Sequence, residues 1–346
     1  MISRRKIVNV ILPFYGINET TWGACILADQ LSLMGCSVNM YSFGRLPQSV
    51  HVHYTWDSKV GVIKRGDRLK CDLTFVLGSP GKSRHFICGP AIGFDMGEGE
   101  EWLDFREFYE KVYYPSNCVK PFVSFGSYTD KFPWIGFSRG ISDPLYRFVD
   151  EGKVNVLFWV DKCFLEKKGK PFFRILQSAF GIREDVGFTV SVVDSFDYSS
   201  ANRLLNFVDK KFHNSVVFDF GTSYFRKLEL ITQHDLSVVL TSKPKFMHDF
   251  WYSMHMQVPT ICPRTCLIDE DDVCQGVYWL ESNEVYNGNY TLYPRMSNLE
   301  SVLFEMLGNK TLIMDMWGKC STMVEKRLWS FLKAIKACLP WKIEEI

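Results

Sequence analysis

Two lysines that follow an apolar run are the first residues with an evident chemical use. Lys162 and Lys168 come shortly after residues 154–160, whose near-continuous apolar composition predicts a buried parallel strand. Ammonium groups and helix N-termini can stabilise the negative charge that builds on a leaving phosphate. Both ammonium groups, and that of Lys167, could contact a phosphate, and the choice between Lys167 and Lys168 is open. A solvated basic loop is the alternative, and Arg264, after a later strand, is a further candidate.

Asp95 is the candidate for proton transfer. It follows residues 92–94, and a carboxylate there could remove a proton from a hydroxyl group as a general base. An ordinary loop aspartate beside Gly97 and Gly99 is the alternative. Gly16 lies in the loop after the first predicted strand, where the absence of a Cβ atom lets a ligand approach the backbone closely. For Gly16 the alternative is a simple strand-to-helix turn.

Three other patterns do not indicate a site. Residues 81–83 read Gly-Lys-Ser, but the glycine that a P-loop needs five residues earlier is absent. The spacing of Cys262, Cys266 and Cys274 fits no standard zinc pattern. The acidic run at residues 269–272 is typical of a solvated turn. No metal site is therefore predicted.

Length and charge narrow the class of protein. The 346 residues favour two domains, since a single core stops growing near about 250–300 residues. The net charge of +1 does not favour nucleic acid as the main partner, because that affinity comes from Lys and Arg contacts to phosphates. No stretch approaches the roughly 20 apolar residues of a membrane span, and residues 7–15 look like a strand rather than a signal peptide. We predict a cytoplasmic protein without a transmembrane segment.

Strands and helices alternate along the chain, which predicts parallel sheets with helices on both faces. The first helix is expected to begin at Thr20 or Thr21 as N-cap and to stop at Gly35. Predicted strands cover residues 6–12, 37–43, 73–77, 86–88, 111–114, 154–160, 186–193, 216–218, 236–240 and 258–262. Predicted helices cover residues 22–34, 171–180, 199–207, 224–233, 248–256, 296–307 and 312–338.

Four stretches, in the same order and spacing, resemble those of GT-B glycosyltransferases, especially the large family 4 type. They are the Gly-containing loop and helix of residues 16–38, the Pro-Ser segment of residues 112–120, the strand and Lys-Gly segment of residues 156–169, and the helix-to-strand junction of residues 253–261.

The resemblance implies an α/β protein with two Rossmann-like domains facing a cleft. Residues 1–148 would form the acceptor-side domain, residues 149–322 the nucleotide-sugar-binding domain, and residues 323–346 a helix crossing back to the first domain. The implied activity is metal-independent transfer of a hexose from a UDP- or GDP-sugar to an acceptor hydroxyl, with no tightly bound cofactor. The acceptor would be a glycan, a lipid-linked glycan or a modified DNA base.

The resemblance also implies roles for single residues. Its catalytic candidates are Asp95, His248 and Asp249, and its donor-binding candidates are Gly16, Lys162, Lys168, Tyr252 and Arg264. For Asp249 the alternative is electrostatic stabilisation of a helix start, where acidic residues are favoured.

Two acidic residues of the family pattern are missing. The paired glutamates, seven residues apart, should fall near Pro244 or Lys245 and at Tyr252. This departure keeps two alternatives open: phage-type glycosylation of a hydroxymethylated DNA base, and a non-catalytic nucleotide-sugar or nucleic-acid binding protein. A third alternative, a sugar-nucleotide epimerase, would need paired acids and a histidine in the cleft. Glycosylation of a DNA base would need a basic groove to bind the DNA. The basic residues that could line such a groove are Arg4, Arg5, Lys6, Arg45, Lys64, Arg65 and Arg68. A tryptophan- and lysine-containing C-terminal region also leaves a membrane-surface role open.

Overall fold

The computed structural model describes most of the chain, and everything below concerns the described residues. They are residues 4–16, 18–45, 56, 58–96, 100–115, 131–132, 134, 153–193, 198–220, 223–242, 247–265, 276–286, 290–316, 319 and 321–342. The acidic run at residues 269–272 lies outside them. The chain divides into two compact units: unit 1 is Met1–Ile141 with Lys326–Ile346, and unit 2 is Ser142–Glu325.

Unit 1 is built on a parallel sheet with strand order β3-β2-β1-β5-β7-β8-β9. Its strands are β1 (Ile7–Leu12), β2 (Ser37–Ser42), β3 (Gly61–Val62), β5 (Leu73–Leu77), β7 (Ala91–Phe94), β8 (Lys111–Pro115) and β9 (Lys131–Phe132). A second small parallel pair joins β4 (Leu69–Lys70) to β6 (Ile87–Cys88). The helices of unit 1 are α1 (Glu19–Leu33), α2 (Pro80–Ser83), α3 (Glu100–Phe105) and a single 3-10 turn (Arg106–Phe108).

Unit 2 has a parallel sheet of strand order β12-β11-β10-β13-β14-β15 and an antiparallel hairpin, β16-β17. Its strands are β10 (Val154–Val160), β11 (Val186–Val192), β12 (Val216–Asp219), β13 (Leu236–Val239), β14 (Thr260–Pro263), β15 (Val277–Leu280), β16 (Ser282–Tyr286) and β17 (Tyr290–Pro294). Its helices are α4 (Lys162–Ile182), α5 (Tyr198–Leu205), α6 (Lys210–His213), α7 (Tyr224–Thr232), α8 (His248–His255), α9 (Met296–Gly308) and α10 (Lys310–Met316). The predicted α/β class with two Rossmann-like sheets is confirmed.

The last helix, α11 (Ser321–Cys338), begins in unit 2 and ends in unit 1. Within unit 1 its Phe331 ring meets the buried Trp134 ring at 5.7 Å, and Trp134 in turn meets Phe94 of β7 edge-on at 5.1 Å. The Cys338 thiol donates to the Tyr113 hydroxyl at 3.7 Å. Aromatic pairs stabilise a folded core by more than the area that they bury. Because its Phe331 ring packs on Trp134, α11 completes the core of unit 1.

The ends of α1 follow from local chemistry. Asn18, rather than Thr20 or Thr21, is the N-cap, and its side chain accepts from the Thr21 N–H at 2.9 Å. The Thr21 hydroxyl instead accepts from the Gly16 N–H, so the prediction of a threonine cap was wrong. Gly35 does end the helix as predicted. It adopts φ +84°, and the Gly35 and Cys36 N–H groups donate to carbonyls of the last turn.

Three predicted element boundaries were wrong. Helix α4 begins at Lys162 and not at residue 171, because Asp161 caps it and Pro171 is tolerated inside the helix. Residues 86–88 contribute a short pair outside the main sheet, whereas the fully buried β7 takes the place beside β5. The predicted helix of residues 312–338 is two helices, α10 and α11. Gly318 lies between them in the sequence, and glycine is a poor helix former.

Gly93, in the middle of β7, is expected to tolerate no side chain. A Cβ atom there would lie 2.2 Å from Cζ3 of Trp102, a ring with 0% exposure. Gly93→Ala should lower the free energy of unfolding by about 1–3 kcal/mol, because overpacking forces buried groups off their preferred positions. Urea denaturation measures this. The control is Gly181→Ala in α4, where a Cβ atom meets nothing within 4 Å. Equal stability of the two variants would contradict the prediction.

Candidate functional site

The sheet order of unit 2 marks one edge as the place for a ligand. Strand β10 lies between β11 and β13. Strands β11 and β12, which come next in the chain, lie on one side of β10, and the later strands β13, β14 and β15 lie on its other side. In parallel α/β sheets, ligands bind outside the carboxyl ends of the strands at such a switch point. The residues that follow β10 and β13 there are Asp161 and the pair Thr241 and Ser242.

Asp161 joins the two strand ends at this edge. Its carboxylate accepts from the Phe164 N–H at 2.7 Å, which caps α4, and from the Ser242 N–H at 2.6 Å. The Ser242 hydroxyl donates to the same carboxylate at 2.8 Å, and the Asp161 side chain is buried. The carboxyl ends of β10 and β13 are therefore fixed to each other by one buried acid. The sequence analysis did not single out Asp161 or Ser242.

The candidate lysines lie on α4, and they do not form one cluster. The Lys162 ammonium is 3.8 Å from Glu166, and both side chains are exposed. Six residues of helix turn through about 600°, so half-buried Lys168 lies about 120° around the helix from Lys162. Lys167 contacts the hairpin instead: its ammonium donates to the Tyr293 hydroxyl at 2.5 Å. That hydrogen bond raises the pKa of Lys167 above its ordinary value.

Strand β17 places Tyr293 beside this edge of the sheet. The N–H of Leu292, the preceding residue, donates to the Ser242 carbonyl at 2.7 Å. The Lys167 ammonium also lies 5.0 Å from the centre of the Tyr293 ring. Lys167 is thus bonded to β17, the strand that contacts Ser242. The choice between Lys167 and Lys168 as a phosphate ligand stays a prediction.

Helix α8 brings three of the candidate residues together. His248, Asp249 and Tyr252 lie in its first turns and are 0%, 4% and 1% exposed, respectively. The Asp249 carboxylate is 2.7 Å from the Lys227 ammonium of α7, and both of those side chains are buried. Sequence reasoning missed Lys227, because lysine is seldom fully buried and no local pattern pairs it with a residue of the next helix.

Arg264 and the cysteines lie elsewhere on unit 2. The Arg264 side chain is exposed. The backbone N–H of Arg264 donates to the Leu280 carbonyl at 2.8 Å, which continues the β14–β15 pairing. Cys262 is fully buried, and burial raises the pKa of its thiol, so it is an unreactive core residue. Cys266 and Cys274 lie outside the described residues. Among the described residues, no three His, Cys, Asp or Glu side chains are grouped as metal ligands would be.

Unit 1 presents a second carboxyl edge of the same kind. Strand β1 is its switch strand, between β2 and β5, and Gly16 follows it. Asp95 follows β7, is 2% exposed, and its N–H donates to the Tyr113 carbonyl at 2.9 Å. Between these two strands lies β5, and the two residues that follow it, Gly78 and Ser79, both have positive φ. A non-glycine residue such as Ser79 in that conformation is strained, and such strain is concentrated at functional sites.

Solved structures resemble the whole chain. HepE of Anabaena, in complex with UDP and glucose, matches with a TM-score of 0.64 and 10% identity, over 96% of this chain and 99% of that chain. A glycosyltransferase from Rickettsia africae matches with a TM-score of 0.59 and 11% identity, over 98% and 100% of the two chains. The chain has the GT-B fold. No protein-family model and no curated protein matches the sequence.

The GT-B fold does not by itself decide the reaction. A protein named as a UDP-N-acetylglucosamine 2-epimerase from Listeria monocytogenes also matches, with a TM-score of 0.59 and 10% identity over 99% of each chain. Function on a shared fold depends on the site. The roles assigned to Asp95, His248, Asp249, Gly16, Lys162, Lys168, Tyr252 and Arg264 therefore remain predictions. No described helix combines the length and the apolar composition that crossing a membrane requires.

Proposed function

We propose that this GT-B protein transfers a hexose from a UDP- or GDP-sugar to an acceptor hydroxyl, without a catalytic metal. The observation that carries the proposal is the Asp161–Ser242 junction at the switch point of unit 2, where α4 begins directly after Asp161. Helix α8 is the helix that follows β13 in the chain, and it begins at His248. HepE, which shares the fold, was solved with UDP and glucose. The acceptor would be a glycan, a lipid-linked glycan or a modified DNA base.

Of the two helix starts, α8 is the better place for the donor diphosphate. At α4 the Asp161 carboxylate already accepts from the first turn, and its charge would repel a second anion. Met247, the residue before α8, forms no side-chain cap, and the positive end of the α8 dipole favours a bound phosphate. Basic residues would supply the remaining positive charge; they are Lys162, Lys167, Lys168 and Arg264.

On unit 1, we propose that Asp95 removes the proton of the acceptor hydroxyl and that Gly16 lets a ligand approach the end of β1. Asp95 is buried at a strand end, and a carboxylate within hydrogen-bond reach of a hydroxyl can act as its general base. For Tyr252, which is 1% exposed, we propose a packing role within α8 rather than a hydrogen bond to the donor ribose.

The first test is a thermal-shift and calorimetry screen with UDP, GDP, ADP and CMP, with uridine and guanosine as controls that lack phosphate. The correct nucleotide, at about 100 times its dissociation constant, should raise the free energy of unfolding by about 2.7 kcal/mol. The nucleosides should give much less, because they lack the charge that α8 and the lysines would bind. No response to any nucleotide would refute the proposal.

Turnover then separates transfer from the other reactions of the fold. Transfer releases the nucleoside diphosphate, and release should rise when acceptor hydroxyls are supplied and persist in EDTA. The similarity to the epimerase-named protein makes epimerisation the second candidate. It would change the sugar of the donor without any acceptor, which proton NMR of the donor detects. Tight nucleotide binding without either reaction would instead indicate a binding protein.

A further inference from the structure

The buried ion pair between Lys227 of α7 and Asp249 of α8 carries a second inference. Its ammonium and carboxylate are 2.7 Å apart, and the two side chains are 7% and 5% exposed. Buried charges of this kind are tolerated only when each compensates the other. Arg226, the residue before Lys227, points its guanidinium to Asp219 and Glu229 instead, each at 2.8 Å.

A row of polar contacts fixes the pair to the central strands. The Lys227 ammonium lies 5.3 Å from the centre of the Trp159 ring in β10. The Trp159 indole N–H donates to the Ser237 hydroxyl at 3.1 Å, and that hydroxyl is 2.8 Å from the Ser253 hydroxyl. Ser253 in turn donates to the Asp249 carbonyl at 2.8 Å. The first turn of α8 is thereby held against β10 and β13.

The charge of Asp249 would oppose the proposed donor site if it stood alone. Asp249 is the second residue of α8, so its carboxylate lies in the same turn whose N–H groups would face a diphosphate. A negative charge there repels a phosphate and offsets the positive end of the helix dipole. The Lys227 ammonium cancels this charge from inside the protein.

We propose that Lys227 is a positioning residue that neutralises Asp249 and so keeps the start of α8 able to bind the diphosphate of a nucleotide sugar. This inference rests on the proposed function. It assigns Asp249 to the support of the donor site and not to catalysis. Lys227 does not touch the donor; it acts through the charge and the position of Asp249.

The test compares charged and uncharged ligands in four variants. UDP binding is measured by calorimetry and uridine binding by ligand-observed NMR for Lys227→Met, Lys227→Arg, Asp249→Asn and the double variant Lys227→Met/Asp249→Asn. Lys227→Met leaves the carboxylate uncompensated and should weaken UDP about tenfold or more, with uridine unchanged. Lys227→Arg keeps the charge and should bind UDP within a few-fold of the unaltered chain. The double variant should bind UDP as tightly as the unaltered chain. Asp249→Asn, which leaves the Lys227 ammonium without its carboxylate, should bind UDP at least as tightly.

Each other outcome overturns the inference. Unchanged UDP affinity in Lys227→Met would remove the electrostatic role, and an equal loss of UDP and uridine in all variants would indicate a merely structural pair. If circular dichroism finds Lys227→Met unfolded, the double variant decides: UDP affinity like that of the unaltered chain supports the inference, and a tenfold loss overturns it. An unaltered chain that binds neither UDP nor GDP refutes the proposed function itself and the inference with it.

Discussion

Asp161→Ala is expected to lower the free energy of unfolding by roughly 3 kcal/mol and to abolish nucleotide binding. The change removes the cap of α4, which costs about 1 kcal/mol, and leaves the buried N–H and hydroxyl of Ser242 without their acceptor, which costs about 1–3 kcal/mol more. The ends of β10 and β13 would then no longer be fixed to each other. Urea denaturation and calorimetry with UDP measure the two effects.

The matched control removes a side-chain cap that, among the described residues, bonds only to its own helix. Ser223 is the N-cap of α7, and its hydroxyl accepts from the Arg226 backbone N–H at 3.1 Å. Ser223→Ala deletes this cap. It should cost about 1 kcal/mol and leave nucleotide binding unchanged. If Asp161→Ala cost no more than Ser223→Ala, or bound UDP normally, the junction at the switch point would have no part in donor binding.

Asp95→Asn is expected to reduce the turnover number about a hundredfold or more while nucleotide affinity and stability stay close to those of the unaltered chain. Asparagine has nearly the shape of aspartate but cannot accept a proton, and general-base catalysis contributes about 10²–10⁴-fold. The rate of nucleoside diphosphate release with saturating donor and acceptor measures the effect. A control of the same chemistry is Asp104→Asn on the exposed side of α3, which should leave the rate unchanged. Full activity of Asp95→Asn would exclude it as the base.

Strongly patterned elements were predictable from the sequence. The run of residues 154–160 coincides with β10, and the glycine stop of α1 is at Gly35, because both depend on local composition and backbone conformation. The start of α4 was missed because the lysine-rich segment before Pro171 looked like a solvated loop. An aspartate directly after the strand, three residues before Phe164, was the capping signal that could have found it.

The contacts that build the candidate site were much less predictable. Asp161 and Ser242 are 81 residues apart, and Lys227 and Asp249 are 22 apart. Tertiary pairing of this kind leaves no periodicity in the sequence. Lysine also prefers the surface, so the residue type of Lys227 predicts an exposed side chain rather than a buried one.

The path of α11 has a consequence for how the chain is made on the ribosome. Unit 1 consists of Met1–Ile141 and Lys326–Ile346, so its core needs Phe331 and Cys338 to cover Trp134 and Tyr113. Unit 2 is continuous in sequence and can fold as soon as it has emerged. Although its first 141 residues emerge earlier, unit 1 stays incomplete until α11 arrives, and its aromatic core is exposed to solvent and to other chains during that interval.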